Sequence, residues 1–188
     1  ARDGSADQIA ACIACNQACL DHTFKNKVAS CLVNPRACHE TELNYLPATR
    51  KKRVAVVGAG PAGLAAATVL ADRGHEVHLY DSAAEIGGQF NMAKRIPGKE
   101  EFEETLRYFR RKIELTGVKL HLNKKVSADD LIKQTFAEVL LTTRVIPRSP
   151  KIKGQDDNPK VLPNDDVLLS KKPGRHKVAE DGAGGVRI

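Results

Sequence analysis

Short apolar runs alternate with helix-forming segments through the middle of the chain. Arg53 leads into Val54–Val57, a run of apolar and mostly β-branched residues, which is the pattern of a buried parallel strand. The stretch 64–73 is rich in alanine and leucine and is followed by Gly74, so a helix that ends there is predicted. Glu76–Tyr80 has the pattern of a second strand. This order predicts an α/β fold with a parallel sheet.

The same alternation continues toward the C-terminus. Apolar side chains at positions 102, 106, 109 and 113 predict an amphipathic helix over residues 100–116, which Gly117 ends. Its basic residues are expected on the solvent face. A turn is predicted at 96–98, and the remaining predicted elements are a strand at 118–122, a short helix at 128–134 and a strand at 138–142.

Three glycines in the spacing G-x-G-x-x-G join the first predicted strand to its helix. Gly58 would permit a tight turn, Gly60 would let the backbone approach a pyrophosphate, and Gly63 would let helix and strand pack closely. Phosphates would meet the free N–H groups at the helix N-terminus, where Pro61 suits the first turn. The predicted phosphate-binding residues are Gly58, Ala59, Gly60, Pro61, Ala62 and Gly63. The alternative is a glycine-rich turn in an unrelated α/β protein.

Asp81 follows the second predicted strand, at the distance expected for an acid that accepts hydrogen bonds from a ribose. A carboxylate there favours a free 2′-hydroxyl group and would repel a 2′-phosphate, so the site suits FAD better than NADP. The alternative is a turn residue at the end of a strand.

All five cysteines lie between positions 12 and 38, and their odd number argues against a disulfide framework. Cys12, Cys15 and Cys19 form C-x2-C-x3-C, and Cys31 follows at a distance. Three clustered thiols and a remote fourth fit a four-thiolate 4Fe–4S cluster, whereas zinc sites usually pair two short knuckles. We therefore expect these four cysteines to hold a cluster, with a zinc site or no metal as alternatives.

The other titratable residues of this segment are expected to have minor roles. Cys38 is predicted to be an inert buried thiol, with a spare ligand as the alternative. His22 and His39 lie among the cysteines, but four thiolates already satisfy a cluster, so neither is expected to be a ligand.

Composition narrows the class of protein. The 188 residues are 28% charged and 41% hydrophobic, as in a soluble globular protein. The chain has no apolar run of membrane-spanning length and no apolar signal core at its N-terminus, so a cytoplasmic protein without a membrane partner is expected. Aromatic residues are only 4%, so a nucleic-acid partner is not expected despite the net charge of +7.

The cysteine motifs at 12–21 (CIACNQACLD) and 29–42 (ASCLVNPRACHETE), followed by the glycine fingerprint, resemble the bacterial NADPH-dependent 2,4-dienoyl-CoA reductases. That family belongs to a wider group with trimethylamine dehydrogenase and the enoate reductases. The resemblance covers nearly all of residues 6–165. It implies a 4Fe–4S cluster on Cys12, Cys15, Cys19 and Cys31, with Cys38 not a ligand. It also implies that Gly88 and Gln89, in a second glycine-containing loop, contribute to an FAD site.

In the resembled family, NADPH reduces FAD, the cluster relays single electrons to FMN, and FMN reduces a dienoyl-CoA in the β-oxidation of unsaturated fatty acids. The FMN-binding TIM barrel has no counterpart in this sequence, so it is an expected partner domain, and no catalytic residue is expected here. The implied division is 1–48 for the cysteine-rich 4Fe–4S segment, 49–150 for a partial Rossmann-like FAD domain, and 151–188 for a connector and a truncated start of the NADPH-binding subdomain.

Two departures from the family pattern weaken parts of this assignment. Arg144 stands where the family has a glycine close to FAD, which adds bulk and charge. In the tail, Glu180 and Asp181 place charges in a would-be buried strand and Arg187 replaces a glycine, so no working NADPH site is expected within this chain.

The predicted function is therefore the electron-transfer segment of a dienoyl-CoA-reductase-like oxidoreductase, not competent by itself. The alternatives are a diverged or truncated non-catalytic fragment that binds a nucleotide or cluster, a segment of a related amine dehydrogenase or enoate reductase, and a zinc-stapled interaction module.

Overall fold

The computed structural model of the chain describes residues 4–143, 153–159 and 161–169. Contacts divide the chain into two compact units, Ala1–Thr143 and Arg144–Ile188. The departures at Arg144, Glu180, Asp181 and Arg187 lie outside the described residues. None of the described helices combines the length and apolar character that a membrane span requires.

The predicted strands and helices occur in the predicted order, together with short helices at Leu20–Thr23, Phe90–Ala93 and Asn164–Leu168 that were not predicted. After a 3₁₀ turn at Ala6–Gln8, the described elements are α1 (Leu20–Thr23), β1 (Arg53–Val57), α2 (Pro61–Asp72), β2 (Glu76–Tyr80), α3 (Phe90–Ala93), α4 (Glu101–Thr116), β3 (Lys119–His121), α5 (Ala128–Lys133), β4 (Glu138–Leu141) and, in the second unit, α6 (Asn164–Leu168). The four strands form one sheet in the order β3-β2-β1-β4, and every pairing is parallel. The predicted α/β class with a parallel, Rossmann-like sheet is confirmed.

The element boundaries differ from the prediction by a few residues. Helix α2 begins at Pro61, before the alanine- and leucine-rich stretch, and Pro61 lies in the first turn as predicted because proline lacks an N–H and has a fixed φ that suits the first helical position. Gly117 ends α4 with a φ of 71°, as its position suggested. Strand β3 is shorter than predicted because only residues 119–121 pair with β2.

Helices α2 and α4 cover one face of the sheet. Val56, Leu79, Leu64, Leu106 and Ile113 are buried together there, so two of the four apolar positions predicted for α4 form its contact with the core. Phe109 packs at the edge of this cluster. Burial of this apolar surface holds the helices against the strands.

The other face of the sheet carries polar and aromatic side chains beside α5. The Nδ1 of His78 lies 3.1 Å from the Nε2 of His121, and the other His78 nitrogen lies 3.1 Å from the Glu76 carboxylate. Hydrogen bonds from Lys119 and His78 lower the pKa of Glu76 to about 2. Burial, and then the neighbouring His78, lower the pKa of His121. These groups are stabilised with Glu76 ionised and His121 neutral.

The cysteine-rich segment packs against α4. The Asp7 carboxylate lies 2.8 Å from the Nε of Arg111, and the carbonyl of Ala6 accepts a hydrogen bond of 3.3 Å from Arg107. These two arginines were expected simply on the solvent face. They instead connect the segment that carries the cysteines to helix α4 of the same compact unit.

Candidate dinucleotide and cysteine sites

The turn between β1 and α2 has the geometry expected of its glycines. Gly58 has a φ of +111°, and a Cβ there would lie 2.5 Å from the carbonyl oxygen of Thr142. A Cβ on Gly63 would lie 1.8 Å from the carbonyl oxygen of Gly58 and 2.6 Å from the Thr142 Oγ1. Both positions exclude every side chain for steric reasons. Helix α2 therefore begins directly against the end of β1.

Gly60 differs from these two glycines because it faces open space. No atom lies within 4 Å of a Cβ built there. Gly60 precedes the first residue of α2, and no side chain caps this helix terminus. The end of the helix therefore offers free N–H groups and room for the backbone to approach an anion.

Asp81 lies directly beside the glycine turn. One of its carboxylate oxygens accepts a hydrogen bond of 2.6 Å from the N–H of Ala59, and the other accepts one of 2.8 Å from Ala83. Two backbone donors thus fix the orientation of this carboxylate, and each oxygen keeps a lone pair for a further hydrogen bond. The structure places Asp81 next to the turn, as expected of a ribose acceptor.

The second glycine pair folds back onto the first turn. The N–H of Gly87 donates to the carbonyl of Ala59 at 2.7 Å. A Cβ on Gly88 would lie 3.1 Å from the Cα of Gly60, so the two backbones are in close contact. The exposed Gln89 precedes α3 at the edge of this contact. All predicted phosphate-binding residues and Asp81, Gly88 and Gln89 are therefore brought to the carboxyl end of β1 and β2, where Rossmann-like sheets bind their ligands.

Sequence reasoning gave Thr142 no role, but its side chain is part of this turn. Its hydroxyl lies within hydrogen-bond distance of the carbonyls of Val57, at 3.0 Å, and Gly58, at 2.9 Å. The available signal was its position one residue after β4, because carboxyl ends of neighbouring parallel strands meet at the same edge. Leu106 is a second such residue, since its side chain fills the space that a Cβ on Gly87 would need.

These residues fit an adenine dinucleotide. The open backbone at Gly60 would leave room for a pyrophosphate, and the oriented carboxylate of Asp81 could accept hydrogen bonds from ribose hydroxyl groups. The carboxylate disfavours a 2′-phosphate by charge repulsion.

The cysteine segment is a series of turns around unpaired thiols. Cys12, Cys15, Cys19, Cys31 and Cys38 are all free. The N–H of Ala14 donates to the Sγ of Cys12 at 3.3 Å, and both Ala14 and Asn16 have positive φ. The N–H of Ser30 donates to the carbonyl of Ala18 at 2.7 Å, which brings the backbone beside Cys31 next to the backbone beside Cys19. The remote cysteine is thus folded back to the three-cysteine loop.

This donor set suits a four-thiolate metal cluster chemically, in which each thiolate would bind a different iron. Within residues 4–143, 153–159 and 161–169, no three Cys, His, Asp or Glu side chains are grouped so that they could hold a metal ion. The backbone contact between residues 18 and 30 nevertheless brings Cys31 toward the three-cysteine loop, as a four-thiolate group would require.

The prediction that Cys38 is buried is wrong. Cys38 is exposed and has a φ of 63°, in a turn where its N–H donates to the Glu40 carboxylate at 3.2 Å. Among the described residues before β1, only Ile13 and Ala18 are buried apolar residues, so the segment has little core in which the Cys38 thiol could be buried. His39 bonds Glu42 at 3.0 Å on the same surface.

Comparisons with known proteins support an oxidoreductase origin. Residues 56–114 match the family model described as an NAD(P)-binding Rossmann-like domain. A metal reductase from Desulforamulus reducens is 33% identical over 192 residues, covering 100% of this chain and 29% of that protein. An NADH oxidase from Thermoanaerobacter brockii is 35% identical over 176 residues, covering 91% of this chain and 27% of that protein.

The fold agrees with a solved relative. A 2-naphthoyl-CoA reductase in complex with 2-naphthoyl-CoA superposes with a TM-score of 0.85 at 36% identity, covering 91% of this chain and 26% of that protein. The chain thus spans less than a third of the length of each of these three oxidoreductases. Residues 56–114 therefore resemble a Rossmann-like NAD(P)-binding domain, in a chain that is similar over most of its length to one segment of larger oxidoreductases.

Proposed function

We propose that this chain is the electron-transfer segment of a larger flavin-dependent oxidoreductase. FAD is held by Gly58–Gly63, Asp81, Gly88 and Gln89, and a 4Fe–4S cluster is held by Cys12, Cys15, Cys19 and Cys31. The observation that carries the proposal is the open backbone at Gly60, which lies against Gly88 and beside the oriented carboxylate of Asp81.

Charge at the ribose position supports FAD over NADP. Asp81 is the acid at the end of β2, and its two oxygens are held by Ala59 and Ala83. A 2′-phosphate would place two negative groups together, whereas the ribose of FAD or NAD offers hydroxyl donors. The contact of Gly87 and Gly88 with the first turn adds a second stretch of backbone beside the site, which agrees with the FAD site that the family resemblance implies.

The cysteine segment supplies the second half of the proposal. When bound, FAD accepts the electron pair of a hydride and the cluster passes electrons one at a time. Helix α4 would connect the two groups, because it contacts the cysteine segment at Asp7 and the second glycine loop at Gly87.

For the whole enzyme we propose a reductase of conjugated acyl-CoA thioesters, with NADPH as donor and FMN on a partner barrel domain. The relative that acts on 2-naphthoyl-CoA supports this substrate class. A dienoyl-CoA of unsaturated fatty-acid β-oxidation is the specific substrate that the sequence motifs favour. A related enoate reductase or amine dehydrogenase fits the relatives equally well.

The FAD assignment is tested with the purified chain and FAD, NAD⁺ and NADP⁺ in equilibrium titrations. FAD should bind most tightly and NADP⁺ most weakly. Asp81→Asn should weaken FAD binding about tenfold, because a charge-assisted hydrogen bond is lost. It should also reduce the difference in affinity between NAD⁺ and NADP⁺, because the repulsion of the 2′-phosphate is removed. Asp129→Asn, an exposed acid in the first turn of α5, is the control. NAD⁺ binding with no FAD binding would refute the flavin assignment.

The cluster assignment is tested by anaerobic reconstitution with iron and sulfide. The chain should take up about four irons and four sulfides. Cys31→Ser should lose most of this content, whereas Cys38→Ser should keep it. Zinc uptake without iron, or equal iron in both variants, would refute the cluster.

A second candidate is a non-catalytic nucleotide-binding chain. It is favoured by the absence of an assembled group of metal ligands in the described part of the chain. FAD or NAD binding without any iron or sulfide after reconstitution would support this candidate over the electron-transfer segment.

A further inference from the structure

The loop between Cys19 and Cys31 is closed by His22. The carbonyl of His22 accepts hydrogen bonds from the N–H groups of Lys25, at 3.0 Å, and Lys27, at 2.9 Å. Its ring Nδ1 lies 2.9 Å from the carbonyl oxygen of Val28. His22 is therefore hydrogen-bonded to three later residues of this loop, to two through its main chain and to one through its ring.

The ring contact determines which nitrogen carries a proton. A carbonyl oxygen can only accept a hydrogen bond, so Nδ1 of His22 must be the donor. The bond lies across six residues, on the return from α1 toward Cys31. Two residues after Val28, the Ser30 N–H bonds the Ala18 carbonyl at 2.7 Å. The His22–Val28 bond therefore lies two residues before the Ser30–Ala18 bond in sequence and holds the same part of the loop. The Ser30–Ala18 bond is the one that brings Cys31 beside Cys19.

We propose that His22 is a positioning residue of the cysteine site, which sets Cys31 beside the three-cysteine loop through its hydrogen bond to Val28. This inference rests on the proposed cluster function and names the side chain that preorganises the fourth ligand. His22 binds no metal in this role. His39 is the natural contrast, because its Nδ1 bonds Glu42 and lies outside the loop from Cys19 to Cys31.

The metal-free chain provides the first test. With Cys12, Cys15 and Cys38 replaced by serine, diamide oxidation should form a disulfide between Cys19 and Cys31, measured by mass spectrometry over time. His22→Ala should slow this reaction about three- to tenfold, the effect of losing one hydrogen bond. His22→Asn should restore most of the rate, because its amide nitrogen is as many bonds from Cα as Nδ1. His39→Ala should leave the rate unchanged.

Cluster reconstitution provides the second test, with iron and sulfide content and the reduction potential as readouts. His22→Ala should lower the iron content and shift the potential, and His22→Asn should keep both near the parent values. Loss of iron in His22→Asn to the level of Cys31→Ser would overturn the positioning role in favour of a ligand role.

The two tests separate the inference from the proposed function. If the chain takes up no iron but His22→Ala still slows the Cys19–Cys31 disulfide, the cluster fails and the positioning role of His22 stands. If the parent forms no such disulfide, or His22→Ala forms it at the same rate, the positioning role is wrong whatever the iron content.

Discussion

At the residue scale, the three glycines of the G-x-G-x-x-G motif are required for different physical reasons. Gly58 and Gly63 are required by steric contact, since a Cβ on either would collide with backbone. Gly60 has no such contact and is required, on our proposal, by the ligand. The motif predicted a tight turn at Gly58, close packing at Gly63 and access for a ligand at Gly60, and the contacts divide the three positions in the same way.

This separation predicts opposite phenotypes for two conservative substitutions. Gly63→Ala places a methyl group 1.8 Å from the Gly58 carbonyl oxygen, so we expect it to lower the free energy of unfolding by at least about 2 kcal/mol. Gly60→Ala has open space, and we expect a loss of less than about 1 kcal/mol together with weaker dinucleotide binding. Urea denaturation and FAD titration of both variants measure these effects. Equal stability losses would contradict the assignment.

At the element scale, α4 is the helix on which both halves of the site depend. Its buried face contributes Leu106 and Ile113 to the core, and Leu106 fills the space beside Gly87. Its outer face holds the cysteine segment through Arg107 and Arg111. The amphipathic spacing of α4 predicted its buried face. The cysteine segment that contacts its outer face is about 100 residues away in sequence, so no local pattern in α4 indicated this contact.

Leu106 should therefore be the most sensitive position of this helix. Leu106→Ala creates a cavity at a fully buried site, and we expect it to lower the free energy of unfolding by about 2–5 kcal/mol. It should also weaken FAD binding, because the loop at Gly87 loses its support. Leu115→Ala, on the same helix but half-exposed, is the control and should cost less than about 1 kcal/mol. Chemical denaturation monitored by circular dichroism gives both values, and similar losses would refute this packing.

At the scale of the whole molecule, the cysteine segment and the Rossmann-like part lie within one compact unit, Ala1–Thr143. The ion pair between Asp7 and Arg111 is one of the contacts that join them. Both side chains are partly exposed, so the contribution of this pair to stability is small and its main effect is on the placement of the segment.

A double-mutant cycle measures this contact directly. We expect Asp7→Ala, Arg111→Ala and the double variant to give a coupling energy of about 0.2–1 kcal/mol at low salt, which falls in about 1 M salt. Lys112 and Asp72, another surface pair at 2.8 Å that joins α4 to α2, provide the matched control within the Rossmann-like part. Faster proteolysis of the cysteine segment in Asp7→Ala, but not in Asp72→Ala, should accompany the coupling. No coupling at low salt would contradict the contact.

Periodicity and glycine spacing determined the strands, the main helices and the position of the dinucleotide turn, because these are local properties of the chain. The cysteine spacing likewise indicated a clustered thiol site. The hydroxyl of Thr142 at the Gly58 turn, the exposure of Cys38 and the bond from His22 to Val28 were decided by the tertiary structure. The Thr142 contact depends on two strand ends that are distant in sequence, whereas the other two features depend on the local path of the cysteine loop. The hydrophobic period of a single element encodes none of the three.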